Sequence, residues 1–144
     1  MTDLTKLFAP RSVALVGATD HPTSFGGRVF QTMIGFGFPG KIYPVNPRDP
    51  EIAGLKAYPS VRDIPGEVDL AIVLIASQMI PEALEQMVEK GVKAAIIKCA
   101  TDTAGVTPVI DNVLRASARA QKATGVPIST HTWGEAHGPM QSTS

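Results

Sequence analysis

The run VDLAIVLIA, residues 68–76, constrains this chain more than any other feature. It is far too short to cross a bilayer. Apart from Asp69 it is apolar at every position, so it does not suit a strand with one wet face. A strand of this kind sits inside a sheet with helices packed on both sides. The rest of the chain has the matching rhythm. Residues 11–18 (RSVALVGA) form a second buried run, ended by a glycine turn. Residues 28–38 then read as a helix with Val29, Phe30, Met33 and Ile34 on one face, stopped by Gly35, Gly37, Pro39 and Gly40. Residues 42–45 read as a strand closed by Asn46-Pro47.

Further along, residues 55–58 suit a short edge strand and residues 60–64 a single helical turn. Residues 81–90 read as a helix with proline in its first turn and Gly91 at its end. Residues 92–99 form another apolar strand. Thr107-Pro108 then opens a helix that runs to Thr124, with threonine as cap, and Gly125 ends it. Residues 126–132 supply the last strand. Strands alternating with helices at this spacing predict parallel βαβ units. The expected fold is α/β: one three-layer, doubly wound, mostly parallel sheet of roughly six strands. Residues 1–144 form a single domain on this reading, and residues 133–144 read as a small, polar tail.

Thirteen basic and thirteen acidic side chains give a formal net charge of zero. That balance provides no long-range attraction for nucleic acid or for a membrane surface, and it leaves a monomer or a weak homodimer open. The single cysteine, Cys99, cannot form an internal disulfide, and the first residues lack the apolar core of a signal peptide. The expected location is the cytoplasm.

The candidate ligand site lies at the end of the first strand. Gly17 ends that strand, Ala18 and Thr19 are small, and Gly26 and Gly27 stand where the following helix begins. Small residues let the backbone approach a ligand, and a helix N-terminus offers free N–H groups with partial positive charge. A pyrophosphate suits such a place. The spacing is not that of a dinucleotide fingerprint, which wants three glycines within six residues and an acidic residue after the second strand. Here the second strand ends in Asn46-Pro47-Arg48, and a cation there favours a ligand with a phosphate on its ribose.

Three ordered stretches, LFAPRSVALVGAT, GKIYPVNP and IAGLKAYPSVRDIPGEVDLAIVLI, resemble the coenzyme A-binding, Rossmann-like domain of NDP-forming acyl-CoA synthetases, relatives of the succinyl-CoA synthetase alpha subunit. The resemblance covers residues 1 to about 97. It implies that coenzyme A binds across the carboxyl ends of the strands. Gly17, Ala18, Thr19, Ser24, Phe25, Gly26 and Gly27 would hold the pyrophosphate. Asn46, Pro47 and Arg48 would border the adenosine and its 3′-phosphate, and Ala76, Ser77 and Gln78 would line the pantetheine path. In that family the phosphorylated histidine and the nucleotide-grasping domain lie beyond this domain. His21 reads as a solvated loop residue.

Residues from about 93 to 132, including IIKCATDTAGVTPVIDNVLRASARAQKATGVPISTHT, resemble instead one βαβ unit of the phosphotriesterase-like amidohydrolases, a barrel family. The resemblance implies metal-ligand positions at Lys98 and His131. Two ligands fall short of the three or four that zinc takes, so no metal is expected and the pair is at most a remnant. The plainer reading is a strand-end lysine with a solvated head and a partly exposed histidine. Together the two resemblances suggest a chimera, with a barrel-derived segment at residues 98–132 and the catalytic residues of both parents incomplete. The expected function is binding of coenzyme A, or of a nucleotide phosphate, without turnover. The alternatives are a metal-dependent lactonase or phosphotriesterase and a purely structural protein with no ligand.

Overall fold

The computed structural model describes residues 4–98 and 107–130. In chain order the elements are α1 (Thr5–Phe8), β1 (Ser12–Val16), α2 (Phe25–Gly35), β2 (Lys41–Val45), β3 (Glu51–Ile52), β4 (Leu55–Lys56), β5 (Leu70–Val73), α3 (Ile80–Lys90), β6 (Ala94–Ile97), α4 (Pro108–Thr124) and β7 (Ile128–Thr130). Two 3-10 turns, Val61–Asp63 and Ser77–Met79, precede β5 and α3. Among the described residues the main sheet runs β2-β1-β5-β6-β7, with every pair of neighbours parallel. With the two hairpin strands set aside, this is the 2-1-3-4-5 order of an open, doubly wound sheet.

Alternation along the strands divides the core between two faces. Ala14, Val16, Ala71, Val73, Ala95 and Ile97 pack with Ile80, Leu84 and Met87 of α3 and with Ile110, Val113 and Leu114 of α4. Leu15 packs with Phe30 of α2, while Val13, Leu70 and Ala94 are joined by Met33 of α2 and by Leu7 of α1. These are the three layers that the apolar runs demand. The strands β5 and β6 pair from Leu70↔Ala94 to Val73↔Ile97, and β7 continues the sheet from β6. The segment expected to be barrel-derived therefore extends the same parallel sheet.

The expected sixth strand is not in that sheet. Residues 51–56 form a separate antiparallel hairpin of β3 and β4. Ala53 (φ 47°) and Gly54 (φ 78°) are both left-handed, as a two-residue turn that reverses a hairpin requires. Ile52 is fully buried and packs in the cluster of Leu15 and Phe30, which anchors the hairpin to the α2 side of the sheet. Only Tyr58, bridged in parallel to Val45, follows the sheet edge as expected. Left-handed backbone strains alanine and suits asparagine. Ala53→Asn is thus expected to raise stability by about 1 kcal/mol, read as a higher urea midpoint at unchanged m-value. A lower midpoint would contradict the turn assignment.

Helix starts follow their caps. α2 begins at Phe25, earlier than the apolar pattern suggests, because Ser24 Oγ accepts the Gly27 amide at 3.0 Å. α4 begins where expected, with Thr107 Oγ1 accepting from the Ile110 amide and Pro108 first in the helix. No described helix is long and apolar enough to cross a membrane.

Candidate nucleotide-binding site

In a sheet of this order the strand sequence reverses between β1 and β5. The chain leaves β1 toward one face and β5 toward the other, opening a crevice at their carboxyl ends. Gly17 sits at that point with φ 96°. A Cβ there would lie 2.8 Å from the Leu74 carbonyl oxygen, so the exits of β1 and β5 are in direct contact. The Gly17 amide donates to Val45 O at 3.0 Å, tying the exit of β1 to β2 as well. Gly26, in the first turn of α2, backs onto the Gly17 carbonyl so closely that an added Cβ would fall far inside van der Waals contact.

The loop between β1 and α2 is held by its own polar groups. Ser24 Oγ donates to His21 O at 2.9 Å while capping Gly27, and the His21 amide donates to Thr19 Oγ1 at 3.2 Å. His21 is exposed, with Nδ1 3.1 Å from Thr23 Oγ1. The cap occupies the Gly27 amide. The amides of Phe25 and Gly26 belong to the first turn and have no intrahelical acceptor.

A cleft of about 470 Å³ opens beside this loop. Its floor is apolar, with Val16, Val45, Ile75 and Ala83. Asn46-Pro47-Arg48 form one rim, and Glu82 and Gln86 of α3 form the other. The structure thus brings Gly17 and Asn46, Pro47 and Arg48 together in one cleft. Ala18, Thr19, Ser24, Phe25, Gly26 and Gly27 lie on the loop and helix turn next to it, outside its lining. Ala76, Ser77 and Gln78 cap and begin the 3-10 turn after β5 and also lie outside that lining.

The Asn46 side chain also has a structural part. Its Nδ2 donates to Ala18 O at 3.0 Å and to Asp49 Oδ2 at 3.1 Å, and its Oδ1 accepts the amides of Arg48 and Asp49. The side chain's two donors and its carbonyl are all engaged in joining the β2 exit to the β1 loop. Arg48 is exposed, and its guanidinium has no partner among the described residues.

Sequence reasoning missed the α3 rim. Loop residues 59–64 are laced to α3 by Ser60 Oγ to Gln86 Oε1 at 2.9 Å, by the Arg62–Glu89 ion pair and by Lys90 Nζ to Ile64 O. The Arg62 guanidinium beside Glu89 holds that carboxyl below its usual range. Both groups are exposed, so this ion pair itself adds little stability. The available signal was the spacing of Glu82, Gln86 and Glu89, which places them along one side of a helix.

Lys98 follows the end of β6, and its Nζ lies 5.0 Å from the centroid of the Phe25 ring, which Arg28 also approaches at 6.0 Å. His131 and Cys99 lie outside the described residues, so the expected Lys98 and His131 pairing is not placed. Among the described residues there is no group of three or more His, Cys, Asp or Glu side chains able to hold a metal ion.

An open parallel sheet with a cleft at its switch point, a glycine-backed helix start and a basic strand exit defines a nucleotide-binding α/β domain. The chain belongs to the CoA-binding domain family, whose model matches residues 11–129. It is 44% identical over 95 residues to an ADP-forming acetate–CoA ligase II of Archaeoglobus fulgidus, covering 66% of this chain and 14% of that protein. Among solved structures it is similar to a dinucleotide-forming acetyl-coenzyme A synthetase 1 of Ca. Korarchaeum cryptofilum in complex with phosphate and ADP. There the TM-score is 0.79 at 31% identity, over 89% of this chain and 27% of that one. It is also 61% identical over 44 residues to a phosphotriesterase homology protein of Mycobacterium tuberculosis, covering 31% of this chain and 14% of that protein. The chain spans 14% of the length of that acetate–CoA ligase and 20% of the alpha subunit of an ADP-forming acetate–CoA ligase II of Pyrococcus furiosus, to which it is also similar.

Proposed function

We propose that this chain binds coenzyme A without turning it over. The adenosine 3′-phosphate end occupies the cleft between the β2 exit and α3. The pyrophosphate lies against Gly17 and the first turn of α2, and the arm leaves past Ala76, Ser77 and Gln78. The observation that carries this reading is the meeting of Gly17 with Asn46-Pro47-Arg48 in one cleft, with the Arg48 guanidinium unpaired among the described residues. The family match supports coenzyme A as the ligand.

Calorimetric titration with coenzyme A, with dephospho-coenzyme A and with NAD tests this. Coenzyme A should bind more tightly than its dephospho form. Arg48→Ala should weaken coenzyme A about tenfold, the scale of one hydrogen bond to a charged group in solvent, and leave the dephospho form unchanged. Tight NAD binding with no coenzyme A signal would overturn the assignment.

We also read the chain as a join of two lineages. The ligase and phosphotriesterase alignments take 66% and 31% of it respectively. The hydrolase alternative draws no support from Lys98, whose ammonium lies over the Phe25 ring. Stoichiometric zinc, cobalt or manganese in the dialysed protein would revive it.

A further inference from the structure

The α3 rim of the cleft carries a carboxylate, Glu82, that the ligand assignment leaves unused. We propose that Glu82, positioned by Gln86, reads the base of the bound nucleotide and selects adenine over a purine with a carbonyl in place of the exocyclic amine. This rests on the coenzyme A reading above.

Ser60 Oγ is 2.9 Å from Gln86 Oε1 and also accepts the Arg62 amide at 3.1 Å, so the hydroxyl proton goes to Gln86 and fixes the orientation of its amide. Gln86 Nε2 then points to Glu82 Oε1 at 3.4 Å. Four residues apart on α3, the two side chains share one face of the helix. Glu82 has no cationic partner within ion-pair distance among the described residues; the Arg62 guanidinium is engaged by Glu89. Its second oxygen is a further acceptor, at the edge of an apolar floor suited to a planar ring.

Across the cleft stands Arg48. A ligand that satisfies both rims carries an anion at one end and a hydrogen-bond donor at the other. A nucleoside 3′-phosphate with an exocyclic amino group meets that description. Adenine offers such an amine. Hypoxanthine offers a carbonyl at the same position, which would face a carboxylate oxygen with no proton between them. A site that accepts a hydrogen bond discriminates against the analogue that cannot donate it.

The test titrates the full chain with coenzyme A and with its deaminated analogue, in which hypoxanthine replaces adenine. Wild type should prefer coenzyme A by about tenfold or more. Glu82→Gln supplies an amide that can donate to the carbonyl, so the preference should fall to about threefold or less. Residue 82 is exposed, and an unchanged thermal midpoint would show that the variant folds. Equal binding of the two ligands to wild type would overturn the inference while leaving coenzyme A binding intact. So would a tenfold preference that survives Glu82→Gln. Binding of neither ligand would remove the coenzyme A reading itself, and this inference with it.

Discussion

Gly26→Ala is expected to cost about 3 kcal/mol of folding stability and to abolish coenzyme A binding. The new methyl would be driven into the carbonyl oxygen of Gly17, a backbone atom. Relief by a rotamer change is impossible, because a methyl has no alternative rotamer and its partner is backbone. Nor can Gly17 retreat. Its amide is bonded to Val45 O, and on its other side lies the Leu74 carbonyl. The helix must therefore move off the loop, separating the two parts of the diphosphate site. Gly35→Ala is the control within the same helix. Nothing lies within 4 Å of a Cβ there, and alanine favours the helix. Urea unfolding of both variants, with a coenzyme A titration of each, decides the matter. A Gly26→Ala protein as stable as wild type would show that the helix start does not press on the strand exit.

The fold was legible because its signals are local. Apolar runs, a proline in the first turn of α3 and Thr107-Pro108 at the start of α4 each mark an element without reference to anything distant. The hairpin was misread because Leu55 and Lys56 look like any edge strand. What separates them from the main sheet is a pair of left-handed residues at 53 and 54, and alanine at 53 advertises no such turn. The lining of the candidate cleft was legible in half. Gly17 and Asn46-Pro47-Arg48 follow strands directly, so strand ends point to them. Glu82 and Gln86 reach the cleft only because α3 starts over the sheet edge, after a strand whose described length is four residues. Asn46 shows the opposite limit. Its position was readable, and three of its four side-chain hydrogen bonds are local, but the fourth, to Ala18 O, spans 28 residues.

Asp69 is the clearest case of a residue visible as an anomaly whose explanation is long-range. It interrupts the most apolar run in the chain, and its side chain is only 3% exposed. Its Oδ2 accepts from the Arg11 amide at 2.9 Å, from Lys6 Nζ at 3.2 Å and from Arg11 Nε at 3.3 Å, across 58 and 63 residues of sequence. Its own amide donates to Ser12 Oγ, which in turn donates to Glu67 O. Burial alone would push the carboxyl up. The Arg11 amide, the Lys6 ammonium and the Arg11 guanidinium outweigh that and hold it below its ordinary value. The Arg11 side chain is 75% exposed and heavily screened, so the Arg11 backbone amide and the mostly covered Lys6 carry most of the effect.

Asp69→Asn should therefore cost about 2–3 kcal/mol near neutral pH, the scale of hydrogen bonds to a charged group. The sign of the pH dependence follows from the lowered value. The contribution is complete above the unfolded-state value, about 4, and is lost as pH falls through the folded one. The stability gap between wild type and Asp69→Asn should be flat from about pH 8 to pH 5 and close progressively below about pH 4. Urea midpoints of both proteins across that range measure it. A gap that stays constant into acid would mean that packing, and not charge, holds the N-terminal segment against β5.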